Sequence, residues 1–328
     1  ACPNRMDPPT SQISLNQIEK IEVLRGPHGL RYGPSFGATV NFVSEPVDWY
    51  ASSPLTARAS AGYESNGNIR RTEAQAGYQG EAFHLSANAA YSAGDDYVNG
   101  EGVVVPSSFS RATVGMKAAV RLSTTQTLSV SATRNFARDV DFPAQAMDLR
   151  ADDTWLLSAQ YRVRYAKGLL SQWNTSFHLS EVDHVMDNFS RPREGRMADA
   201  IVNAYTQTYG GRSELKLNGQ NFWAFAGVDV RHEAVSGLRE RTMLMGPMQG
   251  RVMEDNIWQD GFINRYGSFA EVHVPFQKYH WVVAARLDVN EADVAQADER
   301  FAGIQSDYAS THINPSFSSG LSREWTES

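Results

Sequence analysis

The sequence predicts an all-β fold: an antiparallel transmembrane barrel wall of about twelve strands behind a small N-terminal unit. Three observations predict it. From Leu55 onward the chain runs in segments of about ten residues in which apolar and polar side chains alternate, the pattern of strands with one apolar face. The connections between these segments alternate short and long, as in a barrel with tight turns at one rim and longer loops at the other. No run approaches the ~20 apolar residues of a membrane helix, yet Tyr, Trp and Phe number 13, 7 and 15 in 328 residues, enough to supply aromatic belts.

Composition narrows the class. A hydrophobic share of 41% and a mean hydropathy of -0.42 would suit a soluble chain. A transmembrane strand, however, needs only ~9–11 residues and turns every second one to lipid. The net charge of -7 gives no basic footprint, which argues against nucleic acid as a partner. Cys2 is the one cysteine, so no internal disulfide forms. The opening Ala-Cys-Pro-Asn shows no basic-then-apolar signal segment.

The N-terminal unit centres on Ile18–Asn41, IEKIEVLRGPHGLRYGPSFGATVN. Ile18, Ile21, Val23 and Leu24 alternate with Glu19, Lys20 and Glu22 as a short strand. Gly26-Pro27 breaks it, and Gly29, Gly33 and Gly37 mark a glycine-rich loop. Thr39, Val40, Phe42 and Val43 then resume an extended pattern that Pro46 stops. Taken alone this is an ordinary hairpin.

The ordered run Ile-Glu-Lys-Ile-Glu-Val-Leu-Arg-Gly-Pro, Tyr32-Gly33 and Val40-Asn41 resembles the end of the plug domain of TonB-dependent outer-membrane receptors. Arg31 departs from that family's pattern, which has an apolar residue before Tyr-Gly, and Gly37-Ala38 stands where Gly-Gly is common. The resemblance implies an N-terminal α/β plug inside a barrel of 22 strands in the outer membrane of a Gram-negative bacterium. It also implies TonB, with ExbB and ExbD, as the energising partner, and lipid and lipopolysaccharide around the wall. Residues 1–45 would be the C-terminal part of the plug, 46–54 a linker and 55–328 the first part of the barrel. The start of the plug, with its TonB box, and the remaining strands would lie outside the chain.

The strands are expected, in order, at Leu55–Glu64, Ile69–Tyr78, Ala82–Tyr91, Arg111–Leu122, Gln126–Phe136, Thr154–Tyr165, Leu169–Met186, Ala200–Leu217, Asn221–His232, Arg265–Phe276, His280–Asn290 and His312–Trp325. Longer loops are expected at 92–110, 137–153, 187–199, 233–264 and 291–311. A soluble sandwich or propeller would not give alternating connection lengths. Closing into a barrel removes the edges that lipid cannot solvate, and twelve strands alone would leave two open. Trp155, Tyr161, Tyr165, Trp173, Trp223, Trp258 and Trp281 are candidates for interfacial girdles.

The chemistry sits in two short motifs. On Leu169–Met186 a two-residue period puts Ser171, Trp173, Thr175, Phe177 and Leu179 on the lipid face. Gln172, Asn174, Ser176, His178, Ser180, His184 and Met186 then face the lumen, so an imidazole and a thioether stand side by side near a long loop. In Cys2-Pro3-Asn4-Arg5-Met6 a thiol and a thioether four positions apart converge if Pro3-Asn4 turns. Thiolate, thioether and imidazole together suit Cu(I) better than Zn, Fe or Mg. Each motif also has a plainer reading: a buried small side chain for Cys2, a polar lumen residue for His184.

Both motifs together resemble the copper receptors of this family, of the OprC/NosA type, which carry CxxxM in the plug and HxM in the barrel. That resemblance implies Cys2, Met6, His184 and Met186 as copper ligands, with Cu(II) as the alternative to Cu(I), and copper import as the activity. Met243, Met245, Met248 and Met253 in the 233–264 loop, with Met147 and Met197, would be weaker capture points, since thioethers are soft and neutral; equally they would pack the loop onto the barrel mouth. The rival readings are a siderophore or cobalamin receptor of the same fold and a copper-binding protein that does not transport. No nucleophile–base pair, phosphate loop or paired-carboxylate motif is present, and no helical pattern follows Gly29, Gly33 and Gly37, so catalysis is not expected.

Overall fold

A computed structural model describes residues 18–34, 37–44, 47–50, 52–295, 297–299 and 308–323. The N-terminal unit is a hairpin of β1 (Ile18–Arg25) and β2 (Ala38–Ser44), paired antiparallel from Ile18↔Ser44 to Arg25↔Ala38. The stretch between them differs from the expected glycine loop. It contains a single helical turn, α1 (Pro27–Leu30). Gly26 turns the chain at φ 60, and Pro27, whose ring is pre-set for helix, occupies the first position.

Beyond the hairpin lie β3 (Leu55–Glu64), β4 (Ile69–Gln79), β5 (Phe83–Gly94), a two-residue pair β6 (Tyr97–Val98) and β7 (Val104–Val105), β8 (Phe109–Arg121), β9 (Gln126–Val140) and β10 (Asp148–Arg164). Then come β11 (Leu170–Asp187), β12 (Ala198–Asn218), β13 (Trp223–Met243), β14 (Val252–Phe276), β15 (Tyr279–Val294) and β16 (Ser310–Arg323). Twelve of these form one antiparallel sheet in the order β16-β15-β14-β13-β12-β11-β10-β9-β8-β5-β4-β3, each strand beside its neighbour in sequence. The sheet is not closed: β3 and β16 are its edges.

The polarity of this sheet is inverted relative to a water-soluble one. One face carries Trp173, Phe177, Val228, Val230, Trp281 and Phe317, all exposed. The other carries Glu271 and, tied to one another by ion pairs, Arg212, Glu214, Asp229, Arg286 and Asp288. Arg286 donates to both carboxylate oxygens of Asp229 at 2.7 and 2.8 Å and of Asp288 at 2.8 and 2.9 Å. An apolar exterior over a charged, largely ion-paired interior is the arrangement a barrel wall takes in lipid. Trp173 and Trp281 lie on the apolar face with their indole N–H groups donating to Ser213 and Ser319, and Trp155 and Tyr165 are exposed. Trp223 and Trp258 are not girdle residues. Trp223 stacks on His273, and Trp258 packs against a buried apolar cluster.

The hairpin docks on the charged face. α1 lies against β14, β15 and β16. Pro27 sits over Gly320, where a Cβ would come within 3.2 Å of its ring. Arg31 reaches into the sheet: its guanidinium lies 3.9 Å over the Phe225 ring, 3.7 Å from Glu214 and 3.8 Å from Glu271. Arg212 donates to the Arg31 carbonyl at 2.7 Å. The residue that breaks the family pattern in sequence is thus the hairpin's cationic anchor.

The long connections are shorter than expected. The 233–264 stretch is mostly strand, and only 244–251 separates β13 from β14. Arg239, Arg241, Glu254 and Asp255 look like loop residues because both faces of this extension are polar. Arg239 instead forks onto Asp255 across the ladder at 2.6 and 3.1 Å. A 25-residue β14 far exceeds the ~9–11 residues that cross a bilayer, so its outer half does not need an apolar face.

Candidate metal centre

His184 and Met186 lie where period-two alternation puts them, on one face of β11. His184 is 0% exposed and Met186 1%. The site is at the rim of long connections. At ~3.3 Å per residue, His184 lies roughly 46 Å along the strand from Leu170, more than the ~30 Å of a bilayer's hydrocarbon core.

β10 completes the site. Asp152 pairs with His184, and Leu149 with Met186. Alternation alone would set Leu149 and Asp152 on opposite faces, but the register shifts between Leu149 and Ala151. Arg150 is the extra residue. Asp139, its neighbour on β9, has φ 46. Arg150 donates to Asp139 at 2.6 Å and forks onto Asp187 at 2.9 and 3.0 Å. A bulge re-aims side chains next to functional sites; this one turns Leu149 and Val140 onto the buried face. There they surround Met186 together with Ala137, Val202 and Ala204.

The imidazole is oriented rather than merely buried. His184 Nδ1 lies 3.0 Å from Asp152 Oδ2, and Thr154 donates to Asp152 Oδ1 at 2.8 Å. With both carboxylate oxygens engaged, Asp152 accepts from Nδ1–H and places the ring's lone pair on Nε2. Carboxylate–imidazole pairs of this kind fix the tautomer of metal-ligating histidines. Asp152 and Thr154 were not among the sequence candidates, because 137–153 read as loop and Thr154 only as the first residue of a strand. The signal was available: Asp152-x-Thr154 has the same two-residue spacing as His184-x-Met186 and lies next to it in the ladder.

Cys2 and Met6 lie outside the described residues. The remaining methionines divide in two. Met147 packs against the apolar cluster around Met186. Met197 is brought to the tip of the β13–β14 hairpin, where Leu244 N–H donates to its carbonyl at 2.9 Å and Ala198 pairs with Met243. Met197, Met245 and Met253 are exposed there, while Met243 and Met248 are half-buried.

No protein-family model and no curated protein matches this sequence. Solved structures do. The copper transporter OprC superposes with a TM-score of 0.87 at 20% identity, covering 100% of this chain and 51% of its own. The FrpB iron transporter of Neisseria meningitidis gives 0.66 at 12%, covering 95% and 50%. The ferric citrate transporter FecA gives 0.66 at 13%, covering 97% and 49%. The fold is that of part of these transporters. This chain spans about half the length of the transporters it matches. Those three proteins are transporters.

Proposed function

We propose that this chain is the plug end and first barrel half of a TonB-dependent outer-membrane receptor that binds copper at its extracellular side and imports it. The hairpin is the C-terminal part of the plug, the long-connection rim is extracellular, and the rest of a 22-stranded barrel completes the wall. Cys2 and Met6 from the plug join His184 and Met186 from the barrel as ligands. TonB, with ExbB and ExbD, draws on the plug to break this shared site and release the ion.

The observation that carries the reading is the buried His184–Met186 pair, oriented by Asp152 and walled by apolar side chains. A soft, mostly neutral donor set beside buried apolar side chains favours Cu(I) over harder ions. The structural likeness to a copper transporter supports the same choice, while the iron transporters share the fold with a looser match. A chelate receptor would need a wide opening lined by arginines or aromatics at this place, and here the pair is closed off.

Metal analysis of the purified full-length protein, with anomalous scattering at the copper edge, tests the reading. One copper within bonding distance of His184 Nε2 and Met186 Sδ is expected. Iron chelate or cobalamin above the plug, with no copper retained, would reject it.

A further inference from the structure

A second group of donor atoms lies at the opposite rim, in the seam between the hairpin and the sheet. His28 comes from α1. Glu271 and His273 alternate on β14, so both face the hairpin. Each offers a ligand atom, and these atoms all lie within 4.8 Å of one another. His273 is three residues from the end of β14 at Phe276, beside the short turn to β15, whereas His184 is three residues from the long-connection end of β11. The two groups are therefore distinct.

We propose that His28, Glu271 and His273 form a binding site for a divalent first-row transition ion that bridges the hairpin to the sheet. The donors here are two imidazoles and a carboxylate, a set that suits Zn(II) or Cu(II) rather than Cu(I). Metal–N and metal–O bonds of about 2.0–2.1 Å hold two donors no more than ~4.2 Å apart on one ion. The observed spread of up to 4.8 Å closes to that with side-chain displacements of a fraction of an ångström.

Three features mark the site as built. Glu271 is 3% exposed and His273 5%, and Glu271 Oε2 is buried with no hydrogen-bond partner among the described residues. A buried, unsatisfied carboxylate oxygen is costly unless a cation or donor meets it. Arg31, at 3.8 Å from Oε1, is too far to supply a hydrogen bond. His273 is also oriented: Nδ1 lies 3.1 Å from His280 Nε2, and Nε2 lies 2.8 Å from Glu271 Oε1. Without an ion, Glu271 Oε1 accepts from His273 Nε2–H and Nδ1 accepts from His280; an ion that takes Nε2 displaces that proton, and Nδ1–H then donates to His280, the outer-shell arrangement of metal-bound histidines. Finally, Trp223 stacks on His273 with centroids 4.7 Å apart and on His280 at 5.1 Å, which holds both rings and keeps water off one side.

Such an ion would tie the plug segment to the wall, so its binding and the movement of the hairpin oppose each other. The inference does not rest on the copper reading of the other rim, and the test separates the two. The full-length protein in detergent is dialysed against micromolar Zn(II) and its bound zinc measured, alongside His28→Gln, His273→Gln and, as a control at the other rim, His184→Gln. Heat-dependent gel mobility confirms that each variant is folded. One zinc per chain is expected, with binding weakened at least ten-fold in His28→Gln and in His273→Gln and unchanged in His184→Gln. Zinc should also slow proteolysis at the hairpin in the unaltered protein but not in His28→Gln. Absence of bound zinc in the unaltered protein, or as much zinc in either seam variant as in the unaltered protein, overturns the proposal.

Discussion

The imidazole of His184 on β11 and the carboxylate of Asp152 on β10 face each other across the ladder at 3.0 Å, both buried, with Thr154 holding the second carboxylate oxygen. Neighbouring strands fix this relationship, so it does not depend on a loop. The carboxylate decides which ring nitrogen carries the proton, and thereby which one keeps its lone pair.

Asp152→Asn tests that role. The amide keeps the size but loses the charge, and it can present its NH2 to Nδ1 and reverse the tautomer. Copper affinity should fall about 10- to 100-fold with little change in barrel stability, as read by competition with a copper chelator. Unchanged affinity would show that Asp152 only satisfies a buried ring.

Met186 separates ligation from packing. Met186→Leu conserves volume in a cluster of Leu149, Val140 and Val202 and should alter stability by less than about 1.5 kcal/mol. Met186→Ala should cost about 2–5 kcal/mol. If the thioether binds the ion, both variants lose copper to a similar extent despite their different stabilities. Retention of copper by the leucine variant would reduce Met186 to a packing residue.

Arg31 anchors the hairpin. Arg31→Met keeps much of the contact with Phe225 and removes the charge between Glu214 and Glu271. Glu214 keeps Arg212, but leaving the buried Glu271 without this counter-charge costs about 1–3 kcal/mol. Amide exchange in β1 and β2 should quicken by roughly ten-fold or more while β10–β13 is unaffected. Equal protection in both proteins would mean that the Arg212 contact and α1 suffice to hold the hairpin.

The methionines at the β13–β14 tip bear on capture. Replacing Met243, Met245, Met248 and Met253 with leucine preserves their bulk and removes their sulfur. Uptake should drop when copper is scarce and recover when it is plentiful, since weak thioether sites matter only in the first regime. Identical uptake curves would assign these side chains to packing alone.

Period-two alternation and turn chemistry are local, and they carried the strands. Leu55–Glu64 was legible to the residue, and the parity of β11 put His184 and Met186 together without any knowledge of neighbours. Ends were less legible where strands leave the apolar layer. The outer halves of β13 and β14 are polar on both faces, so nothing in their sequence separates a ladder held by Arg239 and Asp255 from a loop. The helical turn at Pro27–Leu30 is too short to show a period of its own.

By itself, then, the sequence determined a wall of alternating strands, its order of turns and which side chains share a face of one strand. Only the tertiary structure decided which strands' faces meet. The bulge at Arg150 brings Leu149 round beside Met186, Asp152 finds His184 32 residues away, and His28 meets Glu271 and His273 across the hairpin seam. The physical reason is that alternation is fixed by backbone geometry within a strand. Register, bulges and docking are set by partners far off in the chain, which no local pattern encodes.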